Sequence, residues 1–192
     1  MRLILGSLIA FVVAASIGLG ATWLTLTRGT AFGAVSIGSW TAWPKTGTAD
    51  IDPYARAGIA RTGQLPVGLG DGVAFVARID DQGRPLDGRC EVAISGTTPA
   101  ARFWTLTLYN PEGRLIANLA ERYGFTSQDI TREADGRFTI LAAPRARPGN
   151  WLPTGGAERY LLMLRLYDTP VGAATRAGRE AQMPVISVRG CP

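Results

Sequence analysis

Hydrophobic and polar positions divide the chain into two regimes. From Leu3 to Leu26 no side chain is charged, and Arg2 and Arg28 close the run at its two ends. At a rise of ~1.5 Å per residue, a helix of this length spans a hydrocarbon core of ~30 Å with some tilt. From Val73 onward the pattern changes to short β-rich runs divided by turn residues. Strands are expected over Val73–Ile79, Cys90–Ile94, Ala101–Tyr109, Arg114–Ala117, Phe138–Ala142, Tyr160–Tyr167 and Pro184–Val188. The segment Tyr160-Leu161-Leu162-Met163-Leu164 is apolar on both faces, which places it centrally in a sheet.

The punctuation between these runs carries its own chemistry. Asp80-Asp81-Gln82-Gly83 and Asn110-Pro111-Glu112-Gly113 read as four-residue turns, and Asp135-Gly136 as a tight turn. One helix signal is clear: Asp52 caps, Pro53 suits the first helical position, and Tyr54, Ala57, Ile59 and Ala60 follow until Gly63 stops it. Leu119 to Glu133 reads as two short helical pieces with Thr126 or Ser127 as a cap. Many short strands with no helix recurring between them argue for an antiparallel sandwich rather than a parallel sheet.

The first segment has two readings. A cleaved signal peptide has a basic start, an apolar centre and small residues like Gly18, Gly20 and Ala21. An uncleaved anchor is favoured because the apolar stretch continues through Trp23, Leu24 and Leu26, and Trp23 suits an interfacial position. A short basic start before a long exported domain favours the N-terminus inside. Gly6, Ala10, Ala14, Gly18 and Thr22 recur every fourth residue and gather small side chains on one stripe. That stripe is either a helix-docking face or the ordinary richness of membrane helices in small residues.

Cys90 and Cys191 are the only cysteines and have no CxxC spacing. In an oxidising compartment they are expected to pair and close a loop of about a hundred residues; two buried thiols are the alternative. The 20 basic residues less Arg2 and Arg28 leave 18 against 15 acidic ones beyond the anchor, so the domain is only mildly positive. No basic cluster is interleaved with stacking aromatics, and nucleic acid is not an expected partner. The expected division is an anchor or signal segment over 1–28, a Gly-, Ser- and Thr-rich linker over 29–50, and a β-sandwich domain over 51–192. Roughly 160 residues after the anchor suffice for one core.

The chain has no histidine, which excludes Ser-His and Cys-His triads, imidazole bases and His-based zinc sites. Ala34-Val35-Ser36-Ile37-Gly38 only approximates a nucleophile elbow. Gly68-Leu69-Gly70-Asp71-Gly72 lacks the following helix that would bind a pyrophosphate and reads as a loop into the strand at Val73. Asp50 with Asp52, and Asp80 with Asp81, are spaced as turn and cap residues rather than as a calcium loop. No metal or cofactor is expected.

One segment stands apart: Pro144-Arg145-Ala146-Arg147-Pro148-Gly149-Asn150-Trp151-Leu152-Pro153. Prolines here restrict a loop carrying two guanidiniums, an amide and an indole, a set that could hold an anion or a sugar. The structural alternative is that the arginines satisfy loop carbonyls while Trp151 covers the end of the sandwich.

Several ordered motifs carry a resemblance. They are Asp52-Pro53-Tyr54-Ala55-Arg56-Ala57, the strand Arg102 to Tyr109, the turn Asn110 to Gly113, Arg122-Tyr123-Gly124, the loop ending Gly149-Asn150-Trp151-Leu152-Pro153, and the strand Tyr160 to Tyr167. Together they resemble the bacterial domain-of-unknown-function 1214 family over most of the chain after about residue 50. The resemblance implies a mainly β, jelly-roll-like antiparallel β-sandwich with one or two short helices. Larger members carry a companion domain of the 1254 type, so a separate companion envelope protein is an implied partner. No catalytic residue is inherited.

Two functions from different classes follow. The preferred one is a non-catalytic module of the bacterial inner membrane, facing the periplasm, that binds a partner protein or glycan through Arg102, Arg145, Arg147, Asn150 and Trp151. The alternative is an envelope hydrolase or lyase in which Arg102, Arg145, Arg147 or Arg165 stabilises an anion beside a carboxylate.

Overall fold

A computed structural model describes residues 2–28, 33–62, 67–68, 70–171 and 181–192. Helix α1 covers Arg2–Arg28 and is long and apolar enough to cross a membrane. Strands β1 (Val35–Ile37) and β2 (Trp40–Ala42) follow, then helix α2 (Pro53–Thr62). Asp52 caps α2 as expected, its Oδ1 accepting the N–H groups of Tyr54 at 2.9 Å and Ala55 at 3.1 Å. The expected stop at Gly63 lies outside the described residues.

The remaining strands are β3 (Gly72–Ala77), β4 (Glu91–Gly96), β5 (Phe103–Tyr109), β6 (Gly124–Thr126), β7 (Phe138–Ala143), β8 (Asn150–Pro153), β9 (Leu161–Tyr167) and β10 (Val185–Gly190). They form a six-stranded sheet in the order β1-β2-β3-β9-β5-β6 and a four-stranded sheet in the order β10-β4-β7-β8. All pairs are antiparallel except β7 with β8, which is parallel.

The two sheets share one core. Alternation along β5 turns Trp104, Leu106 and Leu108 inward, where they meet Phe75, Leu162 and Leu164 of their own sheet and Val92, Ile94, Phe138, Ile140 and Ile186 of the other. Strand β9 is internal to its sheet, between β3 and β5, as its two-sided apolarity requires. Its outer-face residues Leu161 and Met163 are buried with Val76 under Trp43 and Tyr109.

Three sequence expectations need correction. Arg114–Ala117 is not a strand, since only Leu115 makes an isolated bridge, to Tyr109. Leu119 to Glu133 is not helical. It holds β6 and turns in which Asp129 accepts the Thr126 N–H and hydroxyl, and Asn118 binds both the N–H and the C=O of Arg122. Residues 35–42, expected within a linker, form β1 and β2, and β2 pairs with β3 through Trp40↔Ala77. The hairpin is worth forming because Trp40 buries its ring in the core and donates its indole N–H to the Pro184 carbonyl at 2.7 Å.

Candidate functional site

The first turn of β4 and the last residues of β7 and β10 lie side by side, because Val92 pairs with Ala142 and Glu91 with Gly190. This end of the four-stranded sheet opens into a cleft of about 570 Å³ whose walls include Arg89, Arg145, Arg147 and Arg189 together with Glu91 and Cys191. The Cys90–Cys191 disulfide joins two of these walls across 101 residues of sequence.

Backbone bonds fix the wall at Arg89. The Gly88 N–H donates to the Ala157 carbonyl at 2.8 Å, and the buried Thr154 hydroxyl donates to the Gly88 carbonyl. A Cβ on Gly88 would meet the Ala157 oxygen at 2.6 Å, so this close approach requires glycine. Tyr160 lies behind the same loop, its N–H bonded to the Leu86 carbonyl. Its hydroxyl is buried and has no hydrogen-bond partner among the described residues, and burial, reinforced by Asp87, pushes its pKa far up, so it stays a neutral phenol.

The four guanidiniums differ in their engagements. Arg89 gives Nε and Nη2 to the Asp87 carboxylate, whose pKa the Arg89 side chain holds below its ordinary value against the opposing effect of burial. Arg147 bonds Glu91 through Nε and the Ala146 carbonyl through Nη1. Arg145 and Arg189 are exposed and make no ion pair or side-chain hydrogen bond among the described residues. Two guanidiniums are therefore held in place and two are free to meet a ligand.

The other expected site residues go elsewhere. Asn150 is buried and belongs to the framework: its Oδ1 accepts the Thr131 N–H at 2.9 Å, and its Nδ2 donates to the carbonyls of Thr131 at 2.8 Å and Thr139 at 3.0 Å. Trp151 donates its indole N–H to the Ala143 carbonyl, while its own carbonyl accepts from Arg122. Both residues serve the return of the chain from β7 into β8. Arg102 lies beside β5 in the six-stranded sheet, 3.9 Å from Asp168, with both side chains largely exposed. Arg165 packs over the Tyr109 ring and donates to its hydroxyl at 3.2 Å.

The acids near these elements are also occupied. Asp80 receives Arg84 and the N–H groups of Gln82 and Arg84, and Asp81 receives Ser39 and Ile186. No group of three or more His, Cys, Asp or Glu side chains is arranged to hold a metal among the described residues. Ser36, in β1, is exposed, and its hydroxyl hydrogen-bonds the Thr41 hydroxyl. The Gly68–Gly72 loop closes through Asp71 N–H to the Gly68 carbonyl and leads straight into β3, with Leu69 outside the described residues.

Arg89, Glu91 and Arg189 were not expected at the site, yet a signal existed. The two arginines flank the two cysteines, as Arg89-Cys90 and Arg189-Gly190-Cys191, so pairing the sulfurs also brings the guanidiniums together.

The chain is similar to solved structures. The crystal structure of the VPA0106 protein from Vibrio parahaemolyticus matches over 92% of this chain and 43% of its own, at 21% identity and a TM-score of 0.62. A putative uncharacterized protein from Burkholderia cenocepacia matches over 90% and 42%, at 16% identity and a TM-score of 0.48. The chain thus spans less than half the length of either. No curated protein matches it. The family model described as "Protein of unknown function (DUF1214)" matches residues 71–171, over half of the chain, and to that family the chain belongs.

Proposed function

We propose that this chain is a non-catalytic envelope module, anchored in the bacterial inner membrane with its β domain in the periplasm, that binds a partner protein or a glycan through the arginine-walled cleft. The observation that carries this reading is the pair Arg145 and Arg189, two guanidiniums unpartnered among the described residues, which share one cleft with two that are already held. The apolar helix α1 supports an anchor, and the disulfide supports an oxidising compartment. We place the start of the module by Val35, where β1 joins the sheet, and take a companion of the domain-of-unknown-function 1254 type as the first partner to seek. The hydrolase or lyase alternative requires a carboxylate free to move a proton, and Glu91, the acidic side chain lining the cleft among the described residues, is engaged by Arg147.

The deciding experiment is affinity recovery of the intact protein from detergent-solubilised membranes. Wild type is expected to bring down a companion or glycan that R145A/R189A does not, while both proteins melt within a few degrees of each other, because these side chains are exposed. Equal recovery by the variant would remove the cleft as the binding surface. Release of the protein by alkaline carbonate, or protection of the domain from protease added to spheroplasts, would refute the anchored, periplasm-facing topology.

A further inference from the structure

Resting on that binding reading, we infer that the group recognised in the cleft is an oxyanion carrying more than one negative charge, of the diphosphate or polycarboxylate class. Three features argue for charge recognition rather than stacking on a neutral sugar.

The first is the nature of the walls. Four guanidiniums face the space, and the residues between them include Pro144, Gly156 and Pro192 but no aromatic ring. A pyranose usually finds a flat aromatic face in its site, whereas planar guanidinium forks match the paired oxygens of phosphate and carboxylate.

The second is preorganisation. Asp87 occupies Nε and Nη2 of Arg89, leaving its Nη1 edge, and Glu91 together with the Ala146 carbonyl occupies Nε and Nη1 of Arg147, leaving Nη2. The two acids thus orient two donors that need no further ordering, and Arg145 and Arg189 supply whole forks. The backbone behind them is tied by the Gly88–Ala157 bond and the disulfide, so little of the site must be organised when an anion arrives.

The third is size. A cleft of about 570 Å³ falls within the ~300–1,000 Å³ usual for small-molecule sites and exceeds what one simple anion fills. Two separated anionic centres would let Arg145, on the loop after β7, and Arg189, at the end of β10, each engage one. The same chemistry is offered by a soluble diphosphate or tricarboxylate and by the headgroup of an acidic phospholipid.

The test uses the full chain in nanodiscs of zwitterionic lipid, titrated calorimetrically with pyrophosphate and with citrate. Saturable binding of at least one probe is expected, weakened by about tenfold or more in R145A/R189A. A comparable loss is expected in R145K/R189K, because lysine restores the charge without the fork. Repeating the pyrophosphate titration in discs containing phosphatidate separates the sources: weaker apparent binding assigns the site to a lipid headgroup, and unchanged binding assigns it to a soluble anion. Absence of saturable binding by either probe, or equal affinity in wild type and R145A/R189A, would overturn the inference. If companion recovery nevertheless still required Arg145 and Arg189, the binding reading would stand and only the oxyanion chemistry would fall.

Discussion

The Asp81 carboxylate accepts the Ile186 N–H at 2.6 Å while its other oxygen takes the Ser39 hydroxyl at 2.7 Å and the Ser39 N–H at 3.2 Å. Ile186 belongs to β10 in the four-stranded sheet, and Ser39 sits in the turn between β1 and β2 of the six-stranded one. One side chain therefore ties together the two sheets at a point where Ile186 and Ser39 are both buried. Asp81→Ala should cost about 1–3 kcal/mol by orphaning these donors. Asn110 provides the comparison: its Oδ1 accepts the Arg114 N–H within one exposed turn. Thermal melts should show a clearly larger drop for Asp81→Ala than for Asn110→Ala, and equal shifts would contradict the tie.

Asn150 and Arg145 lie five residues apart in sequence but should respond in opposite ways. Asn150→Ala removes three bonds to the backbone of Thr131 and Thr139, and about 2–4 kcal/mol of stability is expected to go with them. Arg145→Ala should change stability by only about ±0.5 kcal/mol while reducing ligand recovery. Denaturant unfolding of the two variants checks this, and a large loss of stability for Arg145→Ala would make that side chain part of the framework.

Most of the fold was legible because the strands that form the core announce themselves locally. Alternation in β5 and two-sided apolarity in β9 are written within seven residues each. What was not legible depends on distant partners. β1 and β2 have three residues each, too few to show a period, and are held by pairing with β3 and by the Trp40 bond to Pro184. β8 begins inside a proline-broken segment and pairs in parallel with β7, where Asn150 donates to the Thr139 carbonyl, a partner that no local pattern reveals. Leu119 misled the helical reading: it is fully exposed, and the polar side chains of Asn118 and Asp129 bind backbone groups that a helix would have used. At the site, Arg145 and Arg147 could be picked out as neighbours in sequence, whereas Arg89 and Arg189 come together through the Cys90–Cys191 bond and the pairing of β10 with β4.

Acid should weaken the domain through two carboxylates. For Asp80, burial pushes the pKa up, but the Arg84 side chain and the N–H groups of Arg84 and Gln82 together pull it below the ordinary value. For Asp87 the Arg89 side chain is the largest influence and lowers it. A pKa lowered in the folded state means that the unfolded chain binds protons first as pH falls, so the stabilisation is complete above the ordinary carboxylate pKa of ~3.9 and is lost as pH falls through the folded values below it. Melting temperatures between about pH 6 and pH 2 should fall more steeply at the acid end in wild type than in Asp80→Asn, which starts lower and has that group's pH dependence removed. A steeper acid-end fall in Asp80→Asn would contradict this assignment.

The Cys90–Cys191 bond should matter both to stability and to the cleft. It closes a loop of 101 residues, for which the chain-entropy model gives up to about 4–5 kcal/mol. Cys90 is buried in the core, whereas Cys191 is exposed and shares the cleft wall with Arg189 and Gly190. Without the bond, the final residues lose their covalent hold beside β4, and β10 keeps only its ladder from Val185 to Val188 and the Gly190↔Glu91 pair beyond the irregularity. Replacement of both cysteines by serine should therefore lower the melting temperature and weaken anion binding together, since Arg189 sits at the irregularity between Val188 and Gly190, two residues from the lost sulfur. Intact mass after alkylation without reductant should show no free thiol in protein taken from the membrane. Two alkylated cysteines in that protein, or a serine double variant that melts and binds like wild type, would show that the bond neither forms there nor holds Arg189 in place.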